Sequence, residues 1–333
     1  MVTKSPSSGP SIVLTRPDQI LAVAPAVLRF VPTNSLVAII FSQGSTPPAL
    51  EVKFWIRCDI TITPGQAARL PITCNLTAAT AGGAILIAVC DQSRDKHARH
   101  ILNTVRSALH RAGVRVHRLL MTHTLTQADQ WVDPDTGRRG PTMPYTAVAI
   151  NADAVRGSFC IQPSREHIEA EFALTKPAPV VDVTGVDDAT LLAATARGLH
   201  CAIADQAPLS PNLAARAAII VSRSPAIRDA LFRLALGHER AAGQLWTCIA
   251  AQHRGLPRAR LLVMAAAAYY CASDTVRAGT ALDYAEKAAA AAQLPLPEIA
   301  RLLSAAIRAG LPPSAFIKLI PTRDRSPIPG TNL

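Results

Sequence analysis

Asp91 and Ser93 follow the apolar run Ala84–Cys90 and precede a helical pattern, the place where strand ends of an open α/β sheet converge on a ligand crevice. The same topology gathers Ser42 and Gln43, after the run Ser35–Phe41, and His123, after Val114–Met121. These side chains supply a carboxylate, hydroxyls, an amide and an imidazole, groups that hold a polar ligand or, at His123, carry a proton. Arg57 and Asp59, two residues apart on an alternating segment, point the same way and suit either a polar ligand or an ion pair under a helix. Asp91 and Ser93 are equally suited to capping the helix that follows them. No catalytic residue follows from this set.

A second set is basic. Lys96, Arg99, Asn103, Arg106 and His110 share one face of a helix expected over residues 94–112, with Arg111, Arg115 and Arg118 close behind. Such a face holds nucleic-acid phosphates, although an ordinary solvated face has the same pattern. No aromatic residues interleave it to stack on single-stranded bases. The net charge of +11 comes from 34 Lys and Arg against 23 Asp and Glu. Arginine far outnumbers lysine and alanine is abundant throughout, so composition explains most of that charge.

His97 and His100 lie three apart, but Arg94, Lys96 and Arg99 repel a cation there, so no metal ligand is assigned. The chain contains no G-x-x-x-x-G-K-[ST], G-x-G-x-x-G after a strand, G-x-S-x-G or H-E-x-x-H pattern. Gly82-Gly83 precede a strand instead of following one. Glu166, Glu169 and Glu171 read as helix-face carboxylates. No cofactor is expected.

The elements that position these residues come from a chain of 333 residues, 49% hydrophobic and 17% charged, a composition that folds. The longest apolar run, Leu261–Ala272, has 12 residues, below the 18 or so that suggest a membrane-spanning helix. The first residues lack the apolar core of a signal peptide, which makes the expected location cytoplasmic. Seven cysteines, at 58, 74, 90, 160, 201, 248 and 271, form no C-x-x-C pair. Neither a zinc ribbon nor a disulfide framework is expected.

Residues 1–11 read as a flexible tail and 12–175 as an α/β domain with a mixed sheet. A helix from Pro17 should kink or end near Ala24 because of Pro25. Ser35–Phe41 and Ala84–Cys90 are continuous apolar runs suited to strands buried on both faces. Residues 52–63 alternate, with Phe54, Ile56, Cys58 and Ile60 on one side. Helix 94–112 carries the stripe Ala98, Ile101, Leu102, Val105, Ala108 and Leu109 and stops at Gly113. With the next strand, Val114–Met121, this makes a right-handed βαβ crossover. Residues 129–144 form a hairpin or loop, Tyr145–Ile150 a short strand and Ser164–Phe172 a short helix.

A linker is expected over 176–188, an all-α domain over 189–320 and a flexible tail over 321–333. Helical patterns repeat at about 188–203, 212–222, 225–236, 239–252, 256–272, 274–292 and 296–309. Short connections suggest stacked helical hairpins, and the segment from Leu262 to Glu298 has tetratricopeptide-like character.

The stretch Pro25-x-x-Leu28-x-Phe30-x-Pro32-x-x-Ser35-Leu36-Val37, the step Arg57-x-Asp59, Ser164-Arg165-Glu166, and Arg258, Ala268-Tyr269 and Gly310-Leu311-Pro312-Pro313 occur in that order. Over about residues 16–316 this order resembles an actinobacterial family, the domain of unknown function 4192 family. The resemblance implies a cytoplasmic actinobacterial protein and carries no established reaction. Two departures stand out: Arg29 replaces the family's usual glycine before the phenylalanine, and Asp129–Pro144 replaces a cysteine-bearing, glycine-rich segment. If that segment serves a site in relatives, the resemblance implies that this protein lacks the corresponding activity.

Three functions follow as expectations. The first is a protein-interaction or regulatory module, the C-terminal helices offering a groove to a protein partner. The second is an enzyme or small-ligand binder using the strand-end crevice. The third is nucleic-acid binding through helix 94–112, which requires an affinity that falls steeply with salt. No membrane partner is expected.

Overall fold

The structure is a computed structural model that describes residues 16–43, 51–147, 161–205 and 207–318. Contacts divide the chain into two compact units, Met1–Ser164 and Arg165–Leu333.

The first unit holds a mixed six-stranded sheet of order β2-β1-β3-β4-β5-β6. The strands are β1 (Ser35–Phe41), β2 (Val52–Asp59), β3 (Gly83–Val89), β4 (Val116–Thr122), β5 (Gln130–Val132) and β6 (Arg139–Pro141). β1 runs antiparallel to both of its neighbours, β2 and β3. β3 and β4 are parallel, and β5 and β6 extend the sheet as an antiparallel hairpin. β1 and β3 are buried along their whole lengths, which is why their sequences are unbroken apolar runs rather than alternating ones. β2 is an edge strand, and its alternation places Phe54, Ile56 and Cys58 against the core.

Helices α1 (Pro17–Leu28), α2 (Pro64–Thr73) and α3 (Asp95–Arg111) complete this unit among its described residues. Ala98, Ile101, Leu102, Val105 and Leu109 of α3 join Ala67 and Leu70 of α2 and Leu36, Ile40 and Leu86 of the sheet in one core. α3 also links the parallel pair β3 and β4 as the expected crossover element.

Several elements depart from expectation. α1 continues through Pro25 and ends only after Leu28, where Arg29 takes a left-handed conformation with φ of 64°. Such a cap ordinarily falls to glycine, which has no Cβ to strain. α2 is an additional helix. Its signal is nevertheless present: Thr63 and Gln66 form a capping box with Pro64 at the first turn. A 3₁₀ turn, Gln92–Arg94, precedes α3. Tyr145–Ala147 is a 3₁₀ turn rather than part of a strand, and residues 148–150 lie outside the described residues, as do both expected tails, 1–11 and 321–333.

Among its described residues the second unit is helical. Its elements are α4 (Arg165–Ala170), α5 (Asp188–Ala204), α6 (Pro211–Arg223), α7 (Pro225–Leu231), α8 (Glu239–Ala251), α9 (Gly255–Cys271), α10 (Thr275–Ala291), α11 (Glu298–Arg308) and α12 (Pro313–Ile317). Leu261–Tyr270 of α9 is buried throughout, because α8 and α10 both pack on it. The α8 approach is close: a Cβ on Gly243 would stand 2.7 Å from the Tyr269 ring. Tyr270 donates from its hydroxyl to the Leu311 carbonyl at 2.7 Å.

Residues 165–175, grouped from sequence with the sheet, fall by contact in the helical unit. Phe172 stacks on Tyr284 at 5.8 Å, and its carbonyl accepts from Arg258 at 2.5 Å. Arg277 is held between Glu171, at 2.6 Å, and Asp274, at 3.0 Å. The start of the expected linker is also fixed here, since the Thr175 and Ala178 amides donate to Ala251 and Gln252 carbonyls.

Removing one member of a buried ion pair strands the other's charge, so Arg277→Ala should destabilise the helical unit by about 3–5 kcal/mol in urea unfolding. Arg29→Gly should have the opposite sign and raise stability by about 1 kcal/mol, the strain released exceeding the chain entropy lost.

Candidate functional site

Strand direction decides which expected site residues meet. Ser35 is opposite Asp59 in β2 and Val89 in β3, and Val89 is opposite Thr122 in β4. Asp59, Asp91, Ser93 and His123 therefore share one end of the sheet. Ser42 and Gln43 do not. They follow Phe41, whose partner is Gly83, because β1 runs against β3. At that far end the Ser42 amide donates to the Glu51 carbonyl and Gln43 Nε2 to the Ala78 carbonyl. Placing them in the crevice assumed a β1 parallel to β3 and is corrected by this register.

At the shared end, the turn after β3 folds Asp91 back on its own neighbours. Its carboxylate accepts from the Ser93 hydroxyl and from Arg94 Nε at 3.2 Å. The Ser93 bond, helped by Arg94 against some desolvation, holds the Asp91 carboxyl below its ordinary pKa. α3 then begins and presents Asp95 to His123, which lies just beyond β4. His123 Nε2 is 3.4 Å from Asp95 Oδ1, and His123 Nδ1 is 3.7 Å from Asp129 Oδ2. The Asp95 oxygen is buried and has no hydrogen-bond partner, whereas the imidazole is 43% exposed. This arrangement offers a donor-seeking carboxylate beside an accessible proton carrier.

Asp129 enters from the loop before β5. Its Oδ2 accepts from the His123 amide at 2.9 Å, the Thr124 amide at 3.3 Å and the Thr122 hydroxyl at 3.2 Å. Burial favours the protonated acid, but hydrogen bonds from Gln130, His123 and Thr122 outweigh it and lower the Asp129 pKa. His97, on the first turns of α3, has Nε2 2.8 Å from the Ile60 carbonyl and so ties the helix to the end of β2.

Arg57 and Asp59 form the ion pair, at 2.9 Å, with the Arg57 side chain only 9% exposed. Arg57 also donates from Nε to Ser35 Oγ at 3.0 Å and lies 5.8 Å from the centre of the Phe30 ring. These contacts make Arg57 part of the packing, and leave Asp59, 58% exposed, as the member facing solvent.

Asp95, Asp129 and Thr122 were absent from the sequence-derived set. Asp95 is legible as an acidic residue in the first turn of a helix that follows a strand. Asp129 carries no local pattern, since its role depends on the loop returning to the end of β4. On the basic face, Lys96, Arg99 and His110 are exposed, but Arg106 is bound to Asp135 at 2.5 Å and to Asn103 at 2.6 Å. Burial pushes the Cys58 and Cys271 thiols up to about 12, far from the values of reactive thiolates. Among the described residues no group of three or more His, Cys, Asp or Glu side chains is arranged to hold a metal ion. No helix among them is long and apolar enough to cross a membrane.

A family model described as a domain of unknown function (DUF4192) matches residues 17–314. No curated protein and no solved structure matches the chain.

The hydrogen bonds to Asp129 favour its charged form only in the folded state. Their contribution is fully present above the unfolded carboxyl pKa of about 3.9 and is lost as pH falls through the lower folded value. Unfolding midpoints measured between about pH 2 and 6 should therefore fall less steeply with acid in Asp129→Asn than in the unaltered chain.

Proposed function

The chain belongs to the DUF4192 family, and on that premise we propose that its α/β unit binds a small polar ligand at the sheet end centred on His123. The observation that carries this reading is the half-exposed imidazole flanked by the Asp95 and Asp129 carboxylates, at 3.4 and 3.7 Å. A ligand hydroxyl or ammonium group can approach the imidazole and the exposed part of the Asp95 side chain, with Asp91 and Asp59 at the same end of the sheet. His123 then accepts or returns a proton beside the two carboxylates.

A second reading, a partner-binding role for the helical unit, is supported by α11. Leu302 is 60% exposed on a helix whose Ala300 and Leu303 are buried, leaving an apolar side chain available to a partner protein. Stacked tetratricopeptide-like hairpins would suit that role. Nucleic-acid binding through the basic face has weaker support, because Asp135 neutralises Arg106.

A thermal-shift panel of nucleotides, sugars and divalent metals tests the first reading. A true ligand present at about 100 times its dissociation constant should stabilise the protein by about 2.7 kcal/mol. That shift should vanish in His123→Gln and persist in Ser42→Ala. A panel without any stabilising compound, or a shift untouched by His123→Gln, contradicts the reading.

A further inference from the structure

The helical unit contains a cleft of about 590 Å³ between the end of α6, the start of α7, the start of α9 and the segment leading into α11. That volume falls within the roughly 300–1,000 Å³ typical of small-molecule sites. Leu256, Leu294 and Leu296 give it apolar lining, and Arg223, Arg228 and Arg260 are lining residues too. Glu298 is the carboxylate on the lining, and its side chain is 80% exposed. Basic residues therefore outnumber acidic ones on a lining that also carries apolar side chains.

Two details favour a ligand over mere packing of long side chains. Arg260 is fixed by one bond, from Nη1 to the Ser222 carbonyl at 3.1 Å, and has no carboxylate partner among the described residues. Ser222 is also a lining residue, and its Oγ is buried behind the wall with no hydrogen-bond partner. A buried hydroxyl without a partner is costly, and converging like charges repel one another. An anion seated in the cleft relieves the repulsion directly, and the hydroxyl once the Ser222 side chain turns toward it. Arg223 is partly committed, at 3.4 Å from Asp188, so Arg260 and Ser222 carry the argument.

We propose that this cleft is a binding site for a small amphipathic anion, an apolar body on Leu256, Leu294 and Leu296 with a carboxylate or phosphate head at Arg260 and Ser222. Guanidinium groups suit either head because both accept paired N–H donors. The site lies wholly within the helical unit and is independent of His123.

Calorimetric titration of the full chain with octyl phosphate, octanoate, octanol and inorganic phosphate tests the proposal. At least one of the two octyl anions should bind about tenfold or more tightly than both octanol and inorganic phosphate. The tighter of the two identifies the head group as phosphate or carboxylate. Arg260→Gln should weaken that anion about fivefold or more, with partial recovery in Arg260→Lys. Glu298→Gln, at an exposed position that spares the fold, should tighten it about twofold. His123→Gln should leave it unchanged, which separates this site from the sheet end. Absence of binding by either octyl anion at about 1 mM overturns the proposal. So does octanol or inorganic phosphate binding as tightly as the octyl anions, or anion affinity indifferent to both Arg260→Gln and Glu298→Gln.

Discussion

The parallel pairing of β3 and β4 is the constraint on which the α/β unit depends. Parallel neighbours cannot be joined by a tight turn and need a crossover, and α3 supplies it. The same crossing starts α3 at the end of β3 and returns the chain so that β4 ends beside it. Asp91, Asp95 and His97 are thus brought to the sheet end reached by Thr122 and His123, before any ligand is considered. The hairpin β5–β6 then follows a loop that carries Asp129 back under the His123 amide. Sheet geometry and site geometry have one cause.

Much of this was legible because burial leaves a period in the sequence. The unbroken runs of β1 and β3, the alternation of β2 and the stripe on α3 each reflect how many faces the element buries. The repeated helices beyond Asp188 were readable for the same reason. Register was not. Nothing in Ser35–Phe41 states whether the strand runs with or against β3, and that choice separates Ser42 and Gln43 from Asp91 by the length of the sheet. Asp129 was hidden for a related reason, its partners being set by a returning loop and not by neighbours in sequence. α2 is a different case, since its Thr63–Gln66 capping box was open to reading from the residues alone.

Several residues that carry the family resemblance hold the fold together. Arg57 ties β2 to Ser35 and Phe30. Arg258 binds the Phe172 carbonyl, and Tyr269 meets the Phe172 ring edge-on at 6.4 Å. Arg29 fills a left-handed cap where the resemblance leads one to expect glycine. Such positions identify an architecture without specifying a ligand. The groups suited to chemistry, His123 with its two carboxylates and the arginines of the helical cleft, stand outside those motifs.

The most direct test of the sheet-end site is backbone amide chemical-shift mapping of the full chain with a compound that stabilises it. The account predicts displacements concentrated at residues 91–95, 122–124 and 129. Displacements confined to residues 42–43 and 78–82, at the opposite end of the sheet, or absent from His123 and its neighbours, would contradict it.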